Sequence, residues 1–508
     1  MVNLEWNGKK STKSNPKLSE ETDLSLQLVE YVNSPLNDKL SKKGSLEGKK
    51  EWENILILGE NKLAMQSLLN DFKNKINLIY FDPPFATGGD FNLKILIGDI
   101  SQANSTQRWI NKVAYNDNWK GGIDSYLNFM YERLLLMRKL LSDSGSIYIH
   151  LDWHMVHYLK ILMDEIFGAD NFRNEIIWAY PAASVQTRNF FVRSFDTILF
   201  YTKSNDYVFN DDPNIYMEYS DRVKKSLKKD ERGIYYHRGG SHNGKKLSQK
   251  VYIEKKGVFP RDVWNDIPYV RANTVEYQGF STQKPERLLK RIILASTNTN
   301  DIVADFFCGS GTTLVSAEKL NRRWIGCDSS KFSVNMTYKR IIDIGNGNNL
   351  LNWKKIYAKR AKPFKLYKLN EKKAESQIQL EFTSIKKNNG EFLDISNNPS
   401  LKIEVIHDHN NFFIELKDYV IPYKNIISEE IKEKILTWSD WIDYWAIDIN
   451  YQGKEFIPTW VSYRTPKNRK LILKAGPFEY KNSNSNKIMI KTYDIFGIVI
   501  FEKLKIQI

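Results

Sequence analysis

The sequence contains only two cysteines, Cys308 and Cys327, among its 508 residues. Two cysteines exclude both a disulfide framework and a zinc site built from cysteines, and they are typical of the reducing cytoplasm, which is the expected location. The chain also lacks a run of about 18 apolar residues, so we expect no membrane span. Its first residues, MVNLEWNGKKSTKSNPKLSEE, lack the apolar core of a signal peptide.

The composition is that of a folded and basic protein. Hydrophobic residues make up 42% of the chain and aromatic residues 13%, which excludes a disordered chain. The length predicts about two or three domains. The formal net charge of +15 predicts a polyanionic partner, with nucleic acid as the first candidate. The alternative explanation of the charge is compositional bias, because Lys, Asn and Ile are abundant throughout the chain.

Apolar strands alternate with amphipathic helices in two separate stretches. Residues 51–184 include NKINLIYFDPP, SYLNFMYERLLLMRKLL and SGSIYIHLDW, and residues 281–345 include KPERLLKRIILAST, DIVADFFCGSG and RWIGCD. This alternation predicts an α/β fold with a parallel sheet. The other segments are predicted to be a basic N-terminal arm (1–50), a polar and basic insertion (185–280), a basic connector (346–375) and a mainly β C-terminal domain (376–508).

The segment VADFFCGSGTT, residues 303–313, is predicted to be a strand that leads through a glycine-rich turn into a helix. Gly309 and Gly311 would let the backbone approach a ligand, and the N–H groups of the helix N-terminus favour a polar or anionic group. No lysine follows the second glycine, which excludes a P-loop, and Leu314 replaces the third glycine of the dinucleotide pattern. Asp328 ends the next strand and could accept both hydroxyls of a ribose. A nucleoside cofactor is therefore indicated, with a plain tight turn as the alternative.

The segment YFDPPF ends another apolar strand with an acid, two prolines and an aromatic ring. Pro83 and Pro84 fix their φ angles and donate no backbone hydrogen bond, so the turn is stiff and its carbonyls remain available as acceptors. Asp82 adds a further acceptor, and Phe85 offers a flat apolar face. This combination suits an exocyclic amine on a ring that can stack, with a simple proline strand terminator as the alternative. Because both motifs follow strands of a parallel sheet, we expect them to meet at its carboxyl edge.

DPPF upstream of DFFCGSGTT resembles the amino-methyltransferases of DNA in the permuted order called the β group. In that order the catalytic motif precedes the target-recognition region, and the cofactor motif follows it. The resemblance is strongest to type III restriction–modification methyltransferase (Mod) subunits and related site-specific adenine methyltransferases. It covers most of residues 51–345, including MDEIFGADNFRNEIIW and FSTQKPERLLKRII. The chain departs from the family pattern in three places. Phe85 replaces the commoner Tyr, the sequence HLDWH differs from the usual type III motif, and the residues after 350 match nothing in the family.

The resemblance implies a Rossmann-like sheet that binds S-adenosylmethionine, with residues 185–280 as an inserted target-recognition region. Asp82, Pro83, Pro84 and Phe85 would form the catalytic turn for a base flipped out of the duplex. The residues implied for the cofactor pocket are Asp305, Phe307, Gly309, Gly311 and Thr312, with Asp328 on the ribose and with Lys284 and Pro285 beside the methionine part.

The expected reaction is methyl transfer from S-adenosylmethionine to the N6 amine of adenine in double-stranded DNA, without a metal or a covalent enzyme intermediate. Two alternatives stay open: transfer to the N4 amine of cytosine, and a catalytically silent DNA-binding subunit of a restriction complex. The intact Asp82 and glycine motif argue against the silent subunit, and the long basic insertion argues against an RNA or protein substrate. The resemblance also implies a restriction partner, with nuclease or helicase activity, and a homodimer.

Two further groups of residues are candidates for binding. The run RVKKSLKKDER lies in the insertion, where phosphate contact is expected and a solvated helical face is the alternative. The candidate DNA-binding residues are Arg222, Lys224, Lys225, Lys228, Lys229 and Arg238. His150, His154 and His157 are close in sequence, but one ends a strand and two begin a helix, so we expect packing or surface roles and no metal site.

Overall fold

The computed structural model describes most of the chain, namely residues 3–9, 25–33, 52–99, 108–180, 189, 191–242, 245–253, 257–370, 384–386, 392–394, 399–422, 424, 427–480 and 486–506. The helices are α1 (Asn61–Phe72), α2 (Gly122–Leu140), α3 (Val156–Phe167), α4 (Asp221–Lys225), α5 (Glu286–Ser296), α6 (Thr312–Lys319), α7 (Lys331–Ile342) and α8 (Glu429–Glu433). The first strands are β1 (Ser25–Val32), β2 (Asn54–Leu58), β3 (Ile76–Phe81), β4 (Asp90–Leu96), β5 (Trp109–Asn116), β6 (Leu141–Leu151), β7 (Phe172–Ala179), β8 (Phe195–Thr202), β9 (Lys228–Asp230), β10 (Gly233–His242), β11 (Lys245–Tyr252) and β12 (Val263–Trp264). The later strands are β13 (Ile302–Asp305), β14 (Arg323–Asp328), β15 (Phe364–Asn370), β16 (Ser384–Lys386), β17 (Phe392–Asp394), β18 (Ser400–Asp408), β19 (Asn411–Val420), β20 (Ile442–Asp448), β21 (Trp460–Tyr463), β22 (Lys474–Glu479), β23 (Asn486–Asp494) and β24 (Val499–Ile506).

A large mixed sheet forms the centre of the molecule, with ten strands among the described residues in the order β1-β15-β2-β14-β13-β3-β6-β8-β7-β12. Neighbours from β15 to β6 are parallel, and β8 is antiparallel to β6 and β7. Alternate residues of β3 enter different buried clusters: Leu78 and Tyr80 belong to one, and Ile79 and Phe81 to the other. Both faces are therefore covered, which explains the continuous apolar sequence of this strand. The predicted Rossmann-like α/β class is confirmed.

Two strands of this sheet come from stretches that the sequence analysis assigned to an arm and a connector. β15 lies parallel to β2, and β1 lies antiparallel to β15 at the edge. The segment FKLYKLN contains two lysines among apolar and aromatic residues, and this charge obscured the strand. Residues 10–24 and 34–50 of the predicted arm and 371–375 of the predicted connector lie outside the described residues.

The predicted insertion also contributes to the central sheet, through β8 and the short β12. Its described residues also form a small antiparallel sheet in the order β11-β10-β9, preceded by the one-turn helix α4. The basic run RVKKSLKKDER is therefore divided between α4 and β9 and does not form one helical face.

The C-terminal region is mainly β, as predicted, with one sheet in the order β18-β19-β22 and another in the order β21-β20-β23-β24. It packs against the central sheet through Glu30 of β1, whose side chain is fully buried. Tyr338 of α7, Tyr444 of β20 and Lys491 of β23 all donate to its carboxylate. A charge buried in this way needs several partners, so these contacts fix how the C-terminal sheets dock. Among the described helices, none has the length and hydropathy that a membrane span requires.

Candidate active site

The carboxyl ends of β2, β14, β13 and β3 lie side by side at one edge of the sheet because these strands are parallel neighbours. A cavity of about 850 Å³ opens at this edge. The predicted site residues that line it are Asp82, Pro84, Lys284, Asp305, Phe307, Gly309, Thr312 and Asp328. The two sequence motifs thus share one cavity.

The other residues predicted for the catalytic turn and the cofactor pocket, Pro83, Phe85, Pro285 and Gly311, adjoin residues that line the cavity. Pro83 is buried, and Phe85 is half-buried with its ring nearly parallel to that of His150 at 6.4 Å between centroids. Gly311 is the residue before α6, and Pro285 is the residue before α5, where a proline suits the start of a helix.

Asp82 is paired with a residue about two hundred positions away in the sequence. The ammonium of Lys284 donates to Oδ2 of Asp82 at 2.6 Å, and the two side chains are 10% and 20% exposed. The same ammonium lies 5.5 Å from the centre of the Phe85 ring. Lys284 was expected from the sequence only beside the cofactor, and the structure adds this contact with the DPPF turn.

The turn after Phe85 is stabilised by Asp117, which the sequence analysis did not identify. Ala86 has a φ of +57°, an unfavourable region for a residue with a Cβ. The fully buried Asp117 accepts hydrogen bonds from the amides of Ala86, at 2.9 Å, and Thr87, at 2.8 Å. These two charge-assisted bonds offset the backbone strain and fix the direction of the turn.

His150 supports Phe85 from the protein interior. Its Nε2 lies 3.0 Å from Oδ2 of Asp196, and its Nδ1 lies 2.9 Å from the hydroxyl of Tyr80. Burial opposes the ionisation of Asp196, yet the hydrogen bond from His150 lowers the pKa of this carboxyl. Of the other two histidines in this region, His154 contacts Asp152 at 2.6 Å. Within the described part of the chain, no cluster of metal-ligating side chains is present.

The glycine-rich turn approaches a carboxylate at the end of the next strand. Asp328 accepts hydrogen bonds from the amide of Gly309 at 2.9 Å and from the amide of Ser330 at 2.8 Å. Burial raises the pKa of Asp328 to about 6. Gly311 has a φ of +74°, and a Cβ there would lie 2.7 Å from the side chain of Thr337. The turn therefore requires glycine at position 311 for both conformation and space.

Asp305, at the end of β13, is the most deeply buried of the acidic residues that line the cavity. Its carboxylate accepts hydrogen bonds from the hydroxyl of Thr313 at 2.5 Å and from the amide of Phe307 at 3.0 Å. Burial nevertheless raises the pKa of Asp305 to about 7. A cation in the cavity would favour its ionised form.

A buried ionic network fixes the glycine-rich turn from behind. Arg340 of α7 donates to the carbonyl of Ser310 at 3.0 Å, to the hydroxyl of Thr312 at 2.9 Å and to Glu286 at 2.9 Å. Lys319 donates to the other oxygen of Glu286 at 2.7 Å. Each charge in this network has a partner, which is the condition under which buried charges are tolerated.

The cavity wall beside β2 was also missed by the sequence analysis. Glu60 caps α1 and pairs with Arg133 of α2, and Asn61 donates to the carbonyl of Phe306 at 3.1 Å. These residues line the cavity. The signal that could have revealed them is the polar sequence Gly-Glu-Asn directly after the apolar strand NILIL, next to the strand that ends in Asp328.

These residues fit S-adenosylmethionine, the cofactor that the sequence resemblance implies. The molecule combines a nucleoside with a sulfonium cation and an amino acid. Asp328 offers acceptors for ribose hydroxyls, and the buried carboxylate of Asp305 suits the positive charge. At Gly309 an added Cβ would lie 3.4 Å from the Phe280 ring, so the bare backbone keeps this part of the wall open.

Comparison with known proteins identifies the family. A family model described as DNA methylase matches residues 76–339, which is more than half of the chain. The type II methyltransferase M.EcaI of Enterobacter cloacae is 32% identical over 330 residues, a match that covers 56% of this chain and 69% of that protein. The DNA adenine methyltransferase YhdJ of Escherichia coli K12 is 29% identical over 267 residues, covering 52% of this chain and 76% of that protein.

A third relative comes from a type III system. The probable type III restriction–modification enzyme HindVI Mod subunit of Haemophilus influenzae is 27% identical over 414 residues. The match covers 59% of this chain and 52% of that subunit, so the chain spans about half the length of this relative. Together with the shared cavity, these matches show that the chain belongs to the DNA methylase family, whose members use S-adenosylmethionine to methylate exocyclic amines of DNA bases.

Proposed function

We propose that this protein methylates the N6 amine of adenine at a specific sequence in duplex DNA, as the modification enzyme of a restriction–modification system. The observation on which the proposal depends is that the Asp82-Pro-Pro-Phe turn opens on the same cavity as Asp305, Gly309 and Asp328. An acceptor for an amine therefore stands beside a pocket suited to a methyl donor. The names of the relatives, which include an adenine methyltransferase and a restriction–modification Mod subunit, support the choice of base and system.

Asp82 would bind the amine of the flipped adenine. Lys284 contacts Oδ2, and among the described residues no donor contacts Oδ1, so this oxygen remains available for an N–H of the base. The nitrogen lone pair is delocalised into the purine ring, and hydrogen bonds to Asp82 and to a carbonyl of the proline turn favour a more tetrahedral and more nucleophilic nitrogen. A carboxylate also stabilises the positive charge that develops on the amine, and it can receive the proton that the amine loses.

Phe85 and Lys284 would orient the two partners of this hydrogen bond. The half-buried Phe85 ring, supported by His150, offers a face on which a base can stack. Lys284 fixes the rotamer of Asp82 through the 2.6 Å ion pair. Correct alignment of the amine with the methyl group supplies much of the acceleration in a direct transfer of this kind.

S-adenosylmethionine supplies a methyl group activated by its sulfonium charge. Asp328 would bind the ribose, Phe307 and Gly309 would line the nucleoside pocket, and Asp305 would face the cationic part. Thr312 lies on the cavity wall, where its hydroxyl donates to the carbonyl of Lys284 at 3.1 Å. This bond joins the cofactor loop to the residue that orients Asp82.

The small β9–β11 sheet and α4 would contact DNA. The proposed DNA-binding side chains are all exposed, as solvent-facing phosphate contacts must be: Arg222, Lys224, Lys225, Lys228, Lys229 and Arg238. Lys224 is paired with Glu218 at 2.6 Å, so the phosphate backbone would compete with that carboxylate. The net charge of +15 favours the same partner.

A restriction subunit and a second copy of this chain are further proposed partners, supported by the resemblance to type III Mod subunits. We also propose the cytoplasm as its location, because the DNA substrate is there.

The test compares the wild-type protein with Asp82→Asn and Asp82→Ala, using tritiated S-adenosylmethionine and unmethylated genomic DNA. The product is digested to nucleosides, and cofactor binding is measured separately by calorimetry. We expect label in N6-methyladenine that is lost in both variants while S-adenosylmethionine still binds. Asp143→Asn is the matched control, because its side chain is 85% exposed at the amino end of β6, opposite the cavity.

Each result has a distinct meaning. Label in N4-methylcytosine would keep the mechanism and replace the proposed base. No transfer by a wild-type protein that binds S-adenosylmethionine would refute the enzymatic proposal and leave a silent DNA-binding subunit. Full activity of Asp82→Ala would refute the role of the proline turn.

A further inference from the structure

The antiparallel pair β4–β5, described over residues 90–99 and 108–116, leaves the central domain as a hairpin and contacts the C-terminal domain at the end away from the cavity. Arg108 pairs with Asp440 at 2.8 Å, and the two side chains are 17% and 4% exposed. Arg464, which is almost fully buried, pairs with Asp99 of the hairpin. Arg469 donates to the carbonyl of Gly98 at 3.1 Å. Three arginines therefore fix the described far part of the hairpin by ionic and hydrogen bonds.

The hairpin also shares a hydrophobic core with the C-terminal domain. Ile97 and Ile110 are buried in the same cluster as Ile414, Trp441 and Ile490 of the C-terminal sheets. Such side chains would be exposed if the C-terminal domain were absent, and their burial stabilises the hairpin by an amount that a surface salt bridge does not reach. The contact is therefore part of the folded core and extends beyond its ion pairs.

The near end of the same hairpin forms part of the active site. Val113, Ala114, Tyr115 and Asn116 line the cavity, and the next residue is Asp117, which binds the amides after the DPPF turn. The strand β5 thus connects the hydrophobic core of the C-terminal domain to the wall of the cofactor cavity and to the DPPF turn.

A second link leaves β4 and leads toward Lys284. The amide of Lys94 donates to the carbonyl of Gly279 at 3.0 Å, and the hydroxyl of Ser281 donates to the carbonyl of Asn92 at 3.0 Å. Phe280, between these two contacts, lies on the cavity wall against Gly309. The hairpin therefore also fixes the segment that ends at Lys284, the partner of Asp82.

We propose that the C-terminal β domain positions the active site: it holds the hairpin β4–β5 in the place where it closes the cofactor cavity and orients the catalytic turn. Asp440, Arg464 and Arg469 are positioning residues, which act through the hairpin and do not themselves touch the cavity. This proposal rests on the proposed function for its effect on methyl transfer, while its effect on cofactor binding can be measured independently.

The test changes the hairpin side of the contact in the full-length protein, with the variants Arg108→Met and Arg108→Lys. A second variant, Gly98→Ala, places a Cβ 2.1 Å from Oδ1 of Asp440, a steric clash that would separate the hairpin from Asp440. The readouts are the Kd for S-adenosylmethionine by calorimetry, the methyl-transfer rate, and hydrogen exchange of the β4–β5 amides. Arg138→Met is the matched control, because this exposed arginine lies in the last turn of α2, at the amino edge of the sheet.

We expect Arg108→Met and Gly98→Ala to weaken S-adenosylmethionine binding by about 3- to 30-fold and to speed exchange in β4–β5, while β20 and β23 stay protected. Arg108→Lys should restore part of the affinity. Faster exchange in the hairpin with unchanged Kd and unchanged transfer rate would overturn the proposal, and so would loss of affinity with unchanged hairpin exchange. If the wild type binds the cofactor but transfers no methyl group, the proposed function fails and the Kd comparison still decides this inference.

Discussion

Asp117 offers a direct test of how the catalytic turn is held. Its carboxylate is fully buried and accepts hydrogen bonds from the amides of Ala86 and Thr87, as well as from the indole of Trp119 at 3.1 Å. Asp117→Ala leaves both amides without this acceptor, and an unpaired donor costs about 1–3 kcal/mol where it is buried, less for the amide of the exposed Thr87. Ala86 at φ +57° adds about 1–2 kcal/mol of strain that the two bonds offset in the wild type. The turn should therefore relax away from its native shape.

We expect Asp117→Ala to lower the free energy of unfolding by about 2–4 kcal/mol and the rate of methyl transfer by about 100-fold or more, because a displacement of about 1 Å at a reacting group is enough for a loss of that size. Asp117→Asn keeps the shape and one acceptor, so its loss should be smaller, about tenfold. The assays are single-turnover transfer from tritiated S-adenosylmethionine to DNA and urea unfolding followed by fluorescence. Asp143→Asn serves again as the control with an exposed carboxylate.

The reasoning would be refuted by a folded Asp117→Ala variant that transfers methyl groups at the wild-type rate. A variant that loses stability but keeps its rate would show that the turn is preformed by the prolines alone. A larger loss in the Asn variant than in the Ala variant would show that an added donor in this place does more harm than a missing acceptor.

Three further predictions concern charge. Lys284→Gln should lower the rate of methyl transfer by about 10- to 100-fold and also lower the thermal stability, because it leaves the largely buried carboxylate of Asp82 without its counter-charge; a wild-type rate in the purified variant would contradict this. Burial raises the pKa of Asp305 to about 7 in the folded chain, well above the unfolded value of about 3.9. The contribution of Asp305 to the free energy of unfolding is therefore complete below about pH 4, and it is lost as the pH rises to about 7. Urea unfolding should therefore show Asp305→Asn gaining about 3 kcal/mol relative to wild type between pH 5 and pH 8, whereas a pH-independent difference would exclude this linkage. The double variant Lys228→Gln/Lys229→Gln should weaken DNA binding and make the plot of log K against log salt shallower by about 1–2 in slope, measured by fluorescence anisotropy; an unchanged slope would remove these lysines from the interface.

The parts of the site that could be predicted from the sequence follow from one rule of parallel-sheet geometry. A strand in a parallel sheet ends at the same edge as its neighbours, so Asp82, Asp305 and Asp328 could be placed together from the positions of their strands. The glycine-rich turn could be recognised for a similar reason, since the conformation at Gly311 is local. Short-range patterns of this kind can be recognised in the sequence because they depend only on residues that are close together in the chain.

The parts that could not be predicted depend on contacts between distant segments. Lys284 meets Asp82 across 202 positions, and Arg108 meets Asp440 across 332 positions. No periodicity encodes such pairs, because the first follows from how the segment before α5 folds over the end of β3, and the second from how the C-terminal sheets dock on the hairpin. The strand β15 was missed for a different reason: it contains two lysines among apolar and aromatic residues, and the charged segment was interpreted as a connector.

These distant contacts enlarge the catalytic unit beyond the segment that matches the family. The match ends at residue 339, yet β15 continues the central sheet and Arg464 and Arg469 fix the hairpin that lines the cofactor cavity. In the family segment alone, Ile97 and Ile110 would expose apolar surface at the far end of that hairpin. The hairpin would then be stabilised mainly by the contacts of Asn92 and Lys94 near its base, and Asp117 would depend on a strand with little other support. The C-terminal domain is therefore better regarded as a support of the hairpin that lines the active site than as a separate module joined by a linker.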